Sequence, residues 1–129
     1  KEIPFLKVYG DNYNTRDGTG VRDYIHINDL ANGHISALNY LINKKKNSIV
    51  NLGSGTGYSV LEVISVFSKI YGKEVKYKIC PRRVGDKSTV FADIKLSKKI
   101  YKWRPNKKLE DICISVLTYY KNNNFNKIQ

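Results

Sequence analysis

The stretch DGTGVRDYIHINDL, residues 17–30, decides how the chain is read. Gly18 and Gly20 let the backbone come close to another group. Arg22 follows at the mouth of RDYIHI, where Tyr24 and His26 alternate with Ile25 and Ile27, the period of a strand with two different faces. Asn28 or Asp29 then caps a helix that carries Leu30, His34, Ala37, Leu38 and Leu41 on one stripe. A strand that runs straight into a helix points to the α/β class.

The same alternation continues on both sides, without repeats or a linker. FLKVY (5–9) reads as a strand and DNYNTRDGTG (11–20) as a polar loop. Lys44-Lys45-Lys46-Asn47 is a loop, and SIVNL (48–52) a short buried strand. Ser59 with Glu62 three residues later forms a capping box, Val63, Val66, Phe67 and Ile70 make the buried face of the helix it opens, and Gly72 stops it. EVKYKI (74–79) is a strand and PRRVGD (81–86) a loop. A helix over Lys95 to Tyr101 precedes Trp103, and a last helix from Leu109 to Lys121 buries Leu109, Ile112, Val116, Leu117 and Tyr120. The tail NNNFNKIQ is expected to fray.

Composition narrows the classes. A hydrophobic share of 41% and 10 tyrosines describe a folded single domain, not a disordered chain. No apolar run approaches the roughly 18 residues of a membrane span, and no signal peptide opens the chain. The chain lacks methionine and enters a strand almost at once, so it reads as a fragment or a processed chain. Cys80 and Cys113 have neither metal nor disulfide-framework spacing and read as reduced thiols in a cytosolic protein. The net charge of +12 invites a nucleic-acid reading, but the lysines are scattered over loops and polar helix faces, which argues against a dedicated groove.

Residues 49–57, IVNLGSGTG, imitate a dinucleotide-binding turn. The third fingerprint glycine is replaced by Tyr58, which would hold strand and helix apart, and Glu74 precedes its strand where a ribose-gripping acid should end one. The glycines read as a turn between a buried strand and a capped helix. His26 and His34 lie on different elements without a partner at ligand spacing, so no metal site is expected. Asp17, Asp23, Asp29 and Asp86 read as turn and cap residues, and no serine stands in a nucleophile elbow.

Arginine is scarce, five among 23 basic residues, and a lysine-rich chain keeps it where a planar fork matters. Arg22 follows the glycine turn, and Arg82 and Arg83 precede Asp86. A diphosphate wants planar, charged, bidentate donors, and a nearby carboxylate can accept from ribose hydroxyls. Spacing alone supports this grip and a pair of weak surface salt bridges equally.

LKVYGDNYNTRDGTGVRDYIHINDLANGHISAL, NLGSGTGYSVLEVI, PRRVGD, Trp103 and the closing helix together resemble the C-terminal part of the UDP-glucose 4-epimerases, in the extended short-chain dehydrogenase/reductase group. The resemblance runs in order from Leu6 to about Tyr120. It implies an α/β substrate-binding portion over residues 1–129, with a strand and helices returning to a Rossmann-type sheet, the N-terminal NAD-binding portion being absent. Main-chain groups of Lys7 and Tyr9 would read the uracil edge. Arg22 and Arg83 would take the two sides of the diphosphate and Asp86 the uridine ribose, while Arg82 would be structural. Val90 would abut the sugar, its modest size leaning toward N-acetyl sugars.

The implied reaction interconverts UDP-glucose and UDP-galactose through a 4-keto sugar, with a tyrosine as base and tightly held NAD as hydride carrier. UDP must be held firmly and the hexose loosely, so that the ketone can turn over. The catalytic Tyr-x-x-x-Lys pair and the NAD loop belong to the N-terminal part, so this portion is expected to be inactive alone. Tyr40 and Lys44 have that spacing but fall at the wrong end of a helix. The parent is expected to be a cytoplasmic homodimer without nucleic-acid or membrane partners. The alternatives are another nucleotide-sugar enzyme of the group, a dehydratase or decarboxylase, and a non-catalytic nucleotide-binding domain. The family's Leu-Gly-Trp is Tyr101-Lys102-Trp103 here, which puts lysine where glycine turns the chain, at a cost of about 1 kcal/mol.

Overall fold

In the computed structural model, which describes residues 4–123, the quoted stretch lies at the centre of the architecture. Strand β1 (Leu6–Tyr9) pairs in parallel with β4 (Tyr77–Cys80), with Leu6 opposite Tyr77 and Tyr9 opposite Cys80. Strand β2 (Val21–Asp23) is the middle of a second sheet, antiparallel to β3 (Gly57–Ser59) and parallel to β5 (Thr89–Val90). The register sets Arg22 between Tyr58 and Val90. Four helices complete the fold: α1 (Ile27–Lys44), α2 (Val60–Tyr71), α3 (Lys95–Tyr101) and α4 (Leu109–Asn122). The class is α/β, as expected.

The loop before β2 is closed by its own polar groups. Asp17 accepts the amide and hydroxyl of Thr19 at 2.9 and 2.7 Å and the hydroxyl of Ser59. Gly18 sits at φ +81, and a Cβ there would lie 2.0 Å from the Asp11 carbonyl oxygen, so only glycine fits. Arg16 donates to the Gly57 carbonyl and to Glu62.

Strand β2 stops at Asp23, four residues short of the alternation in RDYIHI. Its pairing partners end at Gly57 and Val90, and beyond them the chain turns into α1. The cap is His26, not Asn28 or Asp29: its Nδ1 accepts the Asn28 amide at 3.1 Å. Asp29 is buried and ties α1 to the connection between α3 and α4. Its carboxylate accepts the amides of Asn106 and Lys107 at 3.1 and 2.9 Å, and its carbonyl accepts Trp103 Nε1 at 3.1 Å.

The expected stripe on α1 is not the buried face. Leu38 and Leu41 are exposed, and α1 packs through Gly33, where a Cβ would meet Leu52 and Trp103 at 3.0 and 3.3 Å. Residues 48–52 are irregular and Ile49 is 95% exposed, because no strand lies beside them among the described residues. On α4, Leu109 and Cys113 are buried and Ile112 and Leu117 half-buried, whereas Val116 and Tyr120 are exposed. Helix α2 packs on α4, with Ile64 as its buried residue and Val63, Val66, Phe67 and Ile70 half-buried around it. Its capping box and its Gly72 terminator at φ 76 are as expected. Strand β4 begins at Tyr77, later than Glu74, and β5 carries no sequence signal. Residues 124–129, most of the tail expected to fray, lie outside the described residues.

Both cysteines are free thiols. No helix among the described residues is long and apolar enough to cross a membrane, and no group of three metal-ligating side chains forms among them.

Lys102 ends α3 in the left-handed region at φ 56, ψ 20, the position that favours glycine. Replacing Lys102 with glycine should raise the unfolding free energy by about 1 kcal/mol, read as a higher denaturant midpoint at unchanged slope.

Candidate functional site

The first half of the site is built on β1. The amides of Leu6 and Gly10 donate to the carbonyls of Lys76 and Cys80, both at 2.8 Å. Backbone groups alternate along a strand, so the amides and carbonyls of Lys7 and Tyr9 point to the opposite edge, away from β4. No other strand covers that edge among the described residues. Beside it opens a cavity of about 730 Å³ lined by Phe5, Lys7, Tyr9, Glu74, Lys76 and Arg83. The Arg83 guanidinium lies 3.9 Å over the Tyr9 ring. Apolar walls, a backbone edge without a strand partner among the described residues, and three cations against one acid, Glu74, make a slot for a planar anionic ligand.

The second half is built on β2. Arg22 Nη1 donates to the carbonyls of Val21 and Ser88 at 2.8 and 3.4 Å. With Asp23, Leu52, Val90 and Phe91 it lines a cavity of about 590 Å³. Val90 stands beside Arg22 on β5 and is about half exposed.

Residues 81–88 join the two halves, leaving β4 at the first cavity and entering β5 at the second. Asp86 lies in this exposed loop, its amide 3.3 Å from the Arg83 carbonyl, and lines neither cavity. The six residues singled out from sequence therefore fall into two groups, Lys7, Tyr9 and Arg83 in one and Arg22 and Val90 in the other, with Asp86 on the bridge. Arg82 turns away from both, stacking 3.9 Å over Tyr13 and donating to the Asn12 carbonyl. Tyr40 and Lys44 both lie on α1, where Tyr40 packs against the Tyr101 ring at 5.5 Å.

The glycine loop has a different employment from phosphate binding. The amides of Ser54 and Gly55 donate to the Asp23 carboxylate at 2.8 and 3.2 Å, as do the Ser54 hydroxyl at 2.5 Å and the Ala92 amide at 3.1 Å. Gly53 and Gly55 also precede a strand, β3, which Gly57 begins, rather than opening a helix. These residues do not fit a dinucleotide pyrophosphate. Asp23 was the residue missed by reading it as a turn former. The available signal was an acid at a strand end together with a downstream Gly-Ser-Gly loop whose amides need an acceptor.

Burial pushes the Asp23 carboxyl up, but the hydrogen bonds from Ser54, Ala92 and Gly55 outweigh it and hold the group below its ordinary value. Asp17 behaves alike: burial raises it, while Ser59, Thr19 and the Arg16 charge together lower it.

No protein-family profile matches the chain. Against individual proteins the class is plain: the relatives are nucleotide-sugar 4-epimerases. The chain is 50% identical over 108 residues to the UDP-glucose 4-epimerase of Bacillus subtilis, 84% of this chain and 32% of that protein. It is 43% identical over 122 residues to that of Bifidobacterium longum, 95% of this chain and 36% of that protein. Among solved structures it superposes on the UDP-glucose 4-epimerase of Stenotrophomonas maltophila, which holds NAD and a formylated UDP-arabinopyranose, with a TM-score of 0.91 at 40% identity, covering 94% of this chain and 36% of that one. The Bifidobacterium longum enzyme with NAD and UDP gives 0.85, at 40% identity and coverages of 95% and 36%. Nearly the whole chain is thus homologous to UDP-glucose 4-epimerase, and it spans about a third of the length of those relatives.

Replacing Asp23 with asparagine should cost about 1–3 kcal/mol in chemical denaturation, since the remaining amide is a poorer acceptor for four donors. A carboxyl lowered by folding stabilises fully above its unfolded value, near 3.9, and the stabilisation is lost as pH falls through the lower folded value. The wild-type stability curve should therefore drop more steeply below about pH 4 than that of Asp23→Asn.

Proposed function

We propose that residues 1–129 form the C-terminal, UDP-gripping portion of a UDP-glucose 4-epimerase, whose parent interconverts UDP-glucose and UDP-galactose. The observation that carries this reading is the edge of β1 that has no strand beside it among the described residues, to which Lys7 and Tyr9 turn their main-chain groups while lining the same cavity as Arg83. A uracil offers an N–H flanked by carbonyls, the complement of a strand edge, and Arg83 then meets the phosphates that follow it. Arg22 takes the diphosphate from the second sheet, and Asp86 on the bridging loop accepts from the ribose hydroxyls. The epimerase relatives favour this over a dehydratase or decarboxylase.

NAD, present in both solved relatives, would accept and return the hydride in the parent. The described residues offer it no pyrophosphate cradle, so its binding falls to the rest of the parent and this portion is inactive alone. What these residues contribute is a firm hold on UDP, with the hexose left beside the half-exposed Val90. By the family resemblance the parent works as a cytoplasmic homodimer.

Two measurements test the reading in the parent enzyme. Arg22→Ala and Arg83→Ala should each weaken UDP-sugar binding by about 1.5–3 kcal/mol by calorimetry, as for lost charged hydrogen bonds, and unchanged affinities would remove both from the grip. The modest size of Val90 supports acceptance of UDP-N-acetylglucosamine. Its epimerisation should be detectable and should vanish in Val90→Tyr while UDP-glucose turnover persists; an unmodified enzyme inert to the acetylated sugar refutes the Val90 assignment.

A further inference from the structure

We infer that the Tyr9 ring is a positioning residue, which holds the Arg83 guanidinium flat and ready for the diphosphate. The inference rests on the functional reading above and goes beyond it, because that reading uses only the main chain of Tyr9. Arg83 stands on the exposed loop 81–88; its carbonyl accepts the Asp86 amide, but among the described residues its side chain makes no hydrogen bond or ion pair. Its side chain would otherwise sample many rotamers. The guanidinium instead lies 3.9 Å over the Tyr9 ring, and this contact orients it. Stacking uses the face of the guanidinium and leaves its in-plane N–H donors free for a bidentate anion.

Arg82, the adjacent residue, shows the contrasting use of the same contact. It also stacks at 3.9 Å, on Tyr13, but donates to the Asn12 carbonyl, so its fork is engaged in holding the loop to residues 12–13. Two neighbouring arginines thus rest on two aromatics of one segment, one closing the loop and the other keeping its donors for a ligand. The alternation of β1 places the Tyr9 side chain on the same face as Lys7, and both line the cavity.

Titration calorimetry of UDP and of uridine into the intact protein tests this. Tyr9→Leu should weaken UDP binding about fivefold, the scale of an exposed cation–π contact, and leave uridine unchanged. Tyr9→Phe should restore UDP affinity to within about twofold of the unmodified protein, because the ring face is retained. In an Arg83→Ala background, Tyr9→Leu should make no further difference. Tyr9→Ile, with the same expectation, serves if circular dichroism shows the leucine variant unfolded. Equal UDP affinity with and without the ring overturns the inference. So does an equal loss for uridine and UDP, or a loss that persists without Arg83, since the ring would then touch the base itself. An unmodified protein that binds no UDP overturns the functional reading, and this inference with it.

Discussion

The Asp23 carboxylate is the contact on which the remaining structure hangs. It ends the central strand of the three-stranded sheet and gathers donors from two distant segments, residues 54–55 and Ala92. The approach is so close that a Cβ on Gly53 would lie 2.5 Å from both Asp23 Oδ2 and the Ala92 Cβ. Glycine at 53 is therefore a packing requirement of this carboxylate, not a device for admitting a phosphate. The residue before Asp23 is Arg22 and the residues before Ala92 include Val90, so the group that fixes the sheet also fixes two residues of the candidate site.

Legibility followed the range of the forces involved. The Ser59–Glu62 capping box, the Gly72 terminator and the limits of α3 depend on neighbours within four residues, and the sequence shows them directly. The left-handed Lys102 was legible for the same reason, as a turn that keeps its geometry with an unfavourable residue. Strands are different, because a strand exists only with a partner. RDYIHI has the alternation throughout, but its neighbours reach only to Asp23; SIVNL has the apolar run and no neighbouring strand among the described residues. The stripes on α1 and α4 hold only in part, Leu109 being buried and Leu30, Ala37, Ile112 and Leu117 half-buried, since periodicity shows that a face is apolar and not what it packs against.

Within the site, residue chemistry was more legible than residue roles. Scarce arginines in a lysine-rich chain marked Arg22, Arg82 and Arg83 alike, and the resemblance alone chose Arg83 over Arg82 and supplied Lys7, Tyr9 and Val90. Asp23 was hidden because an acid after an arginine and before a helix has an ordinary local explanation. Its true partners are more than thirty residues away in sequence. Asp29 was hidden in the same way: it sits where a helix cap is expected, and its acceptor capacity goes instead to Asn106 and Lys107.

On the proposed reading, the division into two small sheets has a mechanical consequence. The nucleotide end is bounded by a paired strand, β1, whose geometry is set by its ladder with β4, and by a loop pinned at both ends. Arg82 anchors the start of that loop on Tyr13 and Asn12. At its end the Val21 amide donates to the Ser88 carbonyl at 2.8 Å, with Arg22 donating to the same oxygen. Between those anchors Gly85 takes φ +86 with no atom within 4 Å of where its Cβ would be, so the middle of the loop is unsupported by packing. The anchored ends carry Arg83 and the approach to Val90, and the unsupported middle carries Asp86. A UDP bridging these positions would stiffen the loop from both phosphate flanks and from the ribose at once. The hexose would gain no comparable restraint from Val90, an apolar side chain on a two-residue strand that can limit size but offers no polar anchor. Firm nucleotide and loose sugar then follow from where the chain is pinned and where it is left free.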